Sequence, residues 1–394
     1  MLVQSSTTRA KNATATAVRR PRVKNGNSTD TVTKAGSDDY LKYFTKGNKV
    51  TALYDASVTP KIKQDEIFQQ VRLALDAARS SIQLEMFGFG QKDIAEMLVT
   101  KKQDGLNVQV VLDPINPELA WENEKAEMVE ILEKGGVDVH FYPVQSGDSE
   151  GGKKRFAQID HVKMLVTDGT KAIIGGMNWG SHSPINHDVD IMVEGPIVDR
   201  MQNLFKKDFI KSGGRAEDLP AFVRNAENEG GSLVSLCTTS EDPKDRSIKA
   251  TLHRAIGNAT KSIEAELFVF TDYSLIDALK KAKTERNVDV KVVMNPFEIE
   301  GKKLNEPTAE KLRQVGIEVK WHVADPEKKD KLHAKLCIID GEETILGSAN
   351  WSGAGMTWNH EADVDIIDKT IAGQYQSMFK NDWKKAADTP TYID

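Results

Sequence analysis

The feature that most constrains this fold is a duplication. The stretch "AARSSIQLEMFGFGQKDIAEMLVTKKQDGLNVQVVLDP", ending at Pro114, aligns with "NATKSIEAELFVFTDYSLIDALKKAKTERNVDVKVVMNP", ending at Pro296. A unit that occurs twice must bury the same apolar face twice, so each half is read by the same rules. In "DEIFQQVRLALDAA" the residues Ile67, Val71, Ala74, Leu75 and Ala78 share one helical face, and "SIQLEMFGF" then switches to strand-like residues. A helix over "KDIAEMLVTKKQ" leads into the apolar strand "NVQVVLD", and a third helix, "EKAEMVEILEKGG", stops at glycine before "VDVHFYP". Gly136 and Gly316 mark the same helix end in the two copies. Strands alternating with helices predict an α/β protein of two duplicated domains, each a mostly parallel mixed sheet flanked by helices.

The polar stretch "SGGRAEDLPAFVRNAENEGGS", residues 212–232, reads as the connection between the copies. This places a disordered basic tail at 1–38, a first domain at 39–220, a linker at 221–232 and a second domain at 233–394. The tail is rich in Arg, Ser and Ala with no acid before Asp30, which gives it some character of an import peptide. It carries seven Lys/Arg against two Asp, so a net charge of −6 for the chain leaves −11 on the remainder. So acidic a body is a poor generic binder of polyanions, and any affinity for nucleic acid or anionic lipid must come from a local basic site. Cys237 and Cys337 are too few for a disulfide framework, and no run reaches the roughly 20 apolar residues of a membrane-spanning helix.

The second repeated pattern bears on chemistry. "DHVKMLVTDGTKAIIGGMNWG", residues 160–180, and "LHAKLCIIDGEETILGSANWS", residues 332–352, each read as a β-hairpin turning at Asp-Gly, where positive φ is needed. That gives Asp168 and Asp340 a structural role. Alternate residues of a strand share a face, so His161 sits beside Lys163 and His333 beside Lys335, while Val162 and Ala334 turn to the core. Asn178 and Asn350 follow at the same spacing from the aspartates. Asn186-His187-Asp188 and Asn359-His360-Glu361 come next. A lone His-x-Lys would mean little, but the whole polar set recurs.

His-x-Lys-x4-Asp with a downstream Gly-small-x-Asn, present twice, resembles the HKD signature of the phospholipase D superfamily. The resemblance covers the chain after the tail. The flanks "IDHVKMLVTDGTKAIIGGMNWG", "VEGPIV" and "LHAKLCIIDGEETILGSANWS" are similar to cardiolipin synthase-like enzymes and bacterial phospholipases D, although Val162 stands where that branch often has a basic residue. "GSANWSGAGMTWNHE" is also similar to nuclease-like members.

The resemblance implies two domains packed face to face around one active site and a phosphodiesterase or phosphatidyltransferase that works through a phosphohistidine. One imidazole attacks phosphorus; the other protonates the leaving alcohol. Lys163 and Lys335 would cover the non-bridging oxygens, with Asn178 and Asn350 adding hydrogen bonds, so no metal and no cofactor is expected. Asp188 and Glu361 would orient the histidines. Family habit makes His161 the nucleophile and His333 the acid, a choice that sequence symmetry leaves open. The substrate expected is a phospholipid, met by a monomer in peripheral contact with a membrane, in the cytoplasm or at a membrane surface, with import or export left open. The alternative keeps the chemistry and cleaves DNA or RNA.

Some features stay outside this set. Glu85 and Glu266 hold equivalent places in "SIQLEMFGF" and "SIEAELFVF", where an acid faces either the cleft or an exposed strand end. Trp351, Met356 and Trp358 line an acyl groove or pack an interface. Lys153, Lys154 and Arg155, ahead of the first motif, shape substrate entry or form a solvated face.

Overall fold

The computed structural model describes residues 39–55, 66–116, 122–144, 158–226, 229–299 and 301–392. The tail at 1–38 and the basic run Lys153, Lys154 and Arg155 lie outside them. The first copy runs β1 (Thr45–Asp55), α1 (Glu66–Ala77), β2 (Ser81–Met86), α2 (Lys92–Gln103), β3 (Asn107–Leu112), α3 (Glu122–Lys134), β4 (Asp138–Phe141), β5 (Lys163–Thr167), β6 (Lys171–Gly175), β7 (Asp188–Glu194) and α4 (Ile197–Lys211). The second repeats it as β8 (Ser232–Thr239), α5 (Ser247–Asn258), β9 (Ser262–Leu267), α6 (Tyr273–Arg286) and β10 (Asp289–Met294). A two-strand ribbon follows, β11 (Glu298–Ile299) with β12 (Lys302–Lys303), then α7 (Glu306–Arg313) and β13 (Glu318–Trp321). The copy closes with β14 (Lys335–Ile339), β15 (Glu343–Gly347), α8 (Gly353–Thr357), β16 (Glu361–Ile367) and α9 (Lys369–Lys385). This order supports, as a proposal, copies at 39–220 and 233–394.

Both copies lie in one sheet, ordered β13-β10-β9-β14-β15-β16-β8-β1-β7-β6-β5-β2-β3-β4. The sheet is mixed, as the helix-strand alternation predicts, but the parallel part is smaller than expected. Among the described residues only the strands β2-β3-β4 and β9-β10-β13, joined by helical crossovers, pair in parallel. The Asp-Gly turns fold β5 onto β6 and β14 onto β15 as antiparallel hairpins, and β7 and β16 continue that sense. At the centre β1 pairs with β8 through a register shift between Thr45 and Asn48, and around that seam β6 faces β15 and β16 while β7 faces β14 and β15.

The local signals act as expected. Ile67, Val71, Ala74, Leu75 and Ala78 are all buried. Gly136 and Gly316 take φ of 78° and 79° where helices α3 and α7 give way to strands. One apolar core draws on both copies: Met164, Ile191 and Phe205 of the first meet Leu336, Val364 and Tyr375 of the second. Each large apolar side chain fully buried there is worth about 1.5–3 kcal/mol relative to exposure. The connecting stretch is itself tied down, since Gln202 accepts from Val223 N at 3.0 Å and donates to its carbonyl at 2.8 Å.

Candidate active site

His161 and His333 stand two residues before β5 and β14 begin, and Asp188 and Glu361 open β7 and β16. The sheet order brings these four together across the seam. His161 Nδ1 lies 2.8 Å from Glu361 Oε2, and His333 Nδ1 lies 2.6 Å from Asp188 Oδ2. Each histidine is therefore held by the acid of the other copy. The backbone repeats the exchange, with His161 N donating to His360 O at 2.8 Å and His333 N to His187 O at 2.7 Å. A carboxylate at Nδ1 places the ring proton there and leaves the lone pair on Nε2.

Lys163 and Lys335 follow their histidines on the same face, and each ammonium donates to the carbonyl of the histidine two residues before it. Lys335 Nζ also lies 2.9 Å and 3.1 Å from the two ring nitrogens of His333. Phe87 packs edge-on against His161 with centroids 4.9 Å apart and lies under Lys163 Nζ at 5.0 Å; Phe268 holds the equivalent place beside His333 and Lys335. Asn178 and Asn350 each keep a buried Oδ1 with no hydrogen-bond partner among the described residues; the donor each amide could offer a phosphate oxygen is its Nδ2.

Both histidines and both lysines are buried, which sets the electrostatics. Burial pushes His161 and His333 down to about 4, with the motif lysines adding to the effect, so both rings are neutral at pH 7. Burial likewise draws Lys163 down to about 7 and Lys335 to about 8. Burial works to raise Glu361 and Asp188, but the facing histidine and lysine outweigh it and hold both below the ordinary carboxylate range. The pairs differ in support: Glu361 also accepts from Ser348 Oγ at 2.6 Å and Asn359 Nδ2 at 3.0 Å, whereas Asp188 accepts from Val189 N at 3.0 Å and has Gly176 where the second copy has Ser348.

Asp168 and Asp340 stand apart from this cleft. Each takes positive φ in its turn, 54° and 55°, and accepts backbone N–H groups ahead of the neighbouring strand: Arg79, Ser80 and Ser81 for Asp168, Thr260, Lys261 and Ser262 for Asp340. Trp351 and Met356 belong to the second copy's core rather than an acyl groove, Trp351 meeting Phe270 edge-on at 5.1 Å.

Glu85 and Glu266, outside the motif set, are fully buried and not at an exposed strand end. Glu266 Oε2 lies 3.0 Å and Asp382 Oδ2 3.1 Å from His187 Nε2; Asp208 Oδ2 lies 3.0 Å and Glu85 Oε1 3.4 Å from His360 Nε2. The signal was present in Asp208-Phe209 and Asp382-Trp383, which fall at matching points of the final helix of each copy. Two groups, Glu85 with Asp160 and His360, and His187 with Glu266 and Asp382, have metal-ligand atoms within 4.8 Å of one another. His360 Nε2 hydrogen-bonds Asp208 and His187 Nε2 hydrogen-bonds Glu266, with Glu85 and Asp382 at ion-pair distance.

The family model described as "Cardiolipin synthase, PLD-like domain" matches residues 71–209 and 252–383, more than half of the chain. The chain belongs to this phospholipase D-like family. It is a phospholipase D-type enzyme. Cardiolipin synthase A of Pseudomonas entomophila is 23% identical over 371 residues, covering 91% of this chain and 75% of the relative. Cardiolipin synthase 2 of Bacillus anthracis is 23% identical over 341 residues, covering 82% of this chain and 64% of the relative. The phosphatidylserine synthase structure from Haemophilus influenzae superposes with a TM-score of 0.64 at 12% identity, covering 90% of this chain and 91% of that one. That likeness establishes the phospholipase D fold. No helix among the described residues is long and apolar enough to cross a membrane.

Proposed function

We propose that the chain transfers the phosphatidyl group of a phospholipid to an alcohol acceptor through a phosphohistidine, with the two motif lysines in the place of a metal. The observation that carries this reading is the crossed pair of imidazoles, each fixed at Nδ1 by a buried carboxylate, in a family described by a cardiolipin synthase. A phosphodiester is an anion, so its attacker must be neutral and its developing charge must be covered. His161, neutral and with its proton on Nδ1, offers the Nε2 lone pair to phosphorus. The bond to the headgroup oxygen breaks as His333 Nε2–H gives that oxygen a proton. The substrate's negative charge, arriving beside His333, raises its affinity for the proton it must deliver. An acceptor alcohol then gives its proton to His333, its oxygen attacks phosphorus, and the P–N bond breaks to free His161.

Lys163 and Lys335 are placed to cover the non-bridging oxygens, with the amides of Asn178 and Asn350 as neutral donors. The burial of the four central side chains and the synthase names of the relatives favour transfer over hydrolysis. Both histidines and both acids lie on one chain, so a monomer in peripheral contact with a bilayer suffices. The test incubates purified protein with phosphatidylglycerol vesicles and single-stranded DNA in excess EDTA, with glycerol or ethanol as competing acceptor. We expect a transphosphatidylation product, intact DNA and activity within about twofold of that without EDTA. Cleaved DNA with untouched lipid would overturn the substrate, and a requirement for added divalent metal would overturn the lysine argument.

The burial effects also fix a pH profile. The kcat/KM profile reports groups of the free enzyme. It should rise through about 4 as His161 loses its proton, decline above about 4 because His333 must hold one, and fall more steeply between about 7 and 8 as Lys163 and Lys335 lose theirs, because the cation is the useful form of each lysine. A profile flat from pH 5 to 10 would remove the lysines from charge stabilisation.

A further inference from the structure

His187 and His360 lie next in sequence to Asp188 and Glu361 but take no part in the chemistry described above. Their surroundings are nonetheless built with care. His360 belongs to the second copy, yet its ring enters the first: Asp208 of α4 and Glu85 of β2 flank Nε2, Tyr142 stacks on the ring at 4.5 Å and 9°, and Asp160 lies alongside. His187 makes the reciprocal crossing, between Glu266 of β9 and Asp382 of α9. All six flanking and central groups of the two clusters, Glu85, Asp208, His360, Glu266, Asp382 and His187, are buried. A buried carboxylate pair is tolerated only when a cation or a shared proton offsets it, and here a proton is held in common by the imidazole and its acids, since burial and the second acid push Glu85 and Glu266 each up to about 7. Burial opposes protonation of both rings, but the facing carboxylates outweigh it and raise both well above the ordinary value.

Each clamped ring has two consequences for a catalytic histidine. The carbonyl of His360 accepts from His161 N, and the next residue, Glu361, accepts from His161 Nδ1; His187 and Asp188 stand in the same relation to His333. One exchanged tripeptide therefore grips each catalytic imidazole by its backbone and by its ring. The side chain that anchors that tripeptide in the opposite copy is the histidine.

We propose that His187 and His360 are positioning residues: carboxylate-clamped latches, each docking the tripeptide of one copy into the other, so that Glu85 and Asp208 set the geometry of His161 while Glu266 and Asp382 set that of His333. The assignment of separate duties to the two catalytic histidines rests on the function proposed above; the latch itself does not.

The variants are Glu85→Gln, Glu266→Gln, Asp208→Asn and Asp382→Asn, which keep shape and remove charge from the strand side or the helix side. The first readout needs no substrate. It is the low-field proton resonances of His161 and His333 Nδ1–H, assigned with His161→Asn and His333→Asn. We expect Glu85→Gln and Asp208→Asn to shift or broaden only the His161 signal, and Glu266→Gln and Asp382→Asn only the His333 signal. Folded variants with both signals unmoved would overturn the proposal. So would a stoichiometric metal whose chelation abolishes both signals, since the clusters would then be metal sites.

The second readout is kcat and KM on phosphatidylglycerol and on phosphatidyl-p-nitrophenol, whose phenolate leaves without a proton. Orienting partners of active groups typically contribute 10- to 100-fold. Read as leaving-group release in the first turnover, the first pair should lose about that much rate on both substrates and the second pair only on phosphatidylglycerol, with KM within about threefold, while steady-state kcat falls in all four because His333 also activates the acceptor. The mirror pattern keeps the latch and exchanges the histidine duties. Equal losses on both substrates in all four variants, accompanied by raised KM, would mark a merely structural role and sink the proposal. Wild-type protein that leaves both lipids intact would overturn the functional reading, while the resonances still decide the latch.

Discussion

His161→Ala and His333→Ala are each expected to lower turnover of a phospholipid by on the order of 10⁴-fold or more, because neither histidine can substitute for the other once its own Nε2 is gone. The two losses should differ in kind. Without His333 a labelled phosphatidyl group should still load slowly onto His161 and remain there, since the acid that assists departure and then activates the acceptor is missing. Without His161 no label should be retained. Alanine also leaves Glu361 or Asp188 as a buried acid without its partner, a change worth a few kcal/mol, so His161→Asn and His333→Asn, which return a donor to that acid, serve as folded controls. Turnover in either single variant within tenfold of wild type would end the two-histidine mechanism, and label retained by His161→Ala would reverse the roles.

How much of this was legible in the chain depends on whether a feature is local or arises from assembly. The duplication made coincidences countable: one His-x-Lys is noise, but a second, at matching distance from Asn and from an acid, pointed to His161, Lys163, His333, Lys335, Asp188 and Glu361 as one group. The Asp-Gly turns were equally readable, because positive φ restricts what can occupy Asp168 and Asp340. The crossing was not readable. Asp188 is nearer in sequence to His161 than to His333, and only the places of β7 beside β1 and β16 beside β8 send each acid to the other copy. Glu85 and Glu266 were set aside for the same reason, since the groups that make an acid tolerable in an apolar strand come from α4, α9 and the opposite copy. The overestimate of parallel pairing has a simpler origin: the β-helix-β rhythm of the start of each copy does not extend to its hairpins.

The crossed acids give the second large effect. Glu361→Gln should lower kcat by about 10⁴-fold, the cost seen when an orienting carboxylate becomes an amide and the wrong tautomer follows. Asn359 Nδ2 donates to Glu361 Oε1, so a glutamine there turns its carbonyl to Asn359 and its NH₂ to His161 Nδ1. The ring must then accept at Nδ1 and carry its proton on Nε2, which removes the lone pair that attacks phosphorus. Asp188→Asn is forced the same way, because Val189 N donates to Oδ1 and leaves the amide NH₂ facing His333. Its consequence is milder, about 10²- to 10³-fold, since a proton on Nε2 of His333 is what the leaving oxygen needs, although a neutral ring gives it up less readily than an imidazolium. The order of the two losses is the informative quantity, measured as kcat on phosphatidylglycerol with Glu361→Asp and Asp188→Glu as charge-preserving controls. If Asp188→Asn proves the more damaging, the nucleophile is His333; if both amides stay within tenfold of wild type, neither carboxylate governs a tautomer.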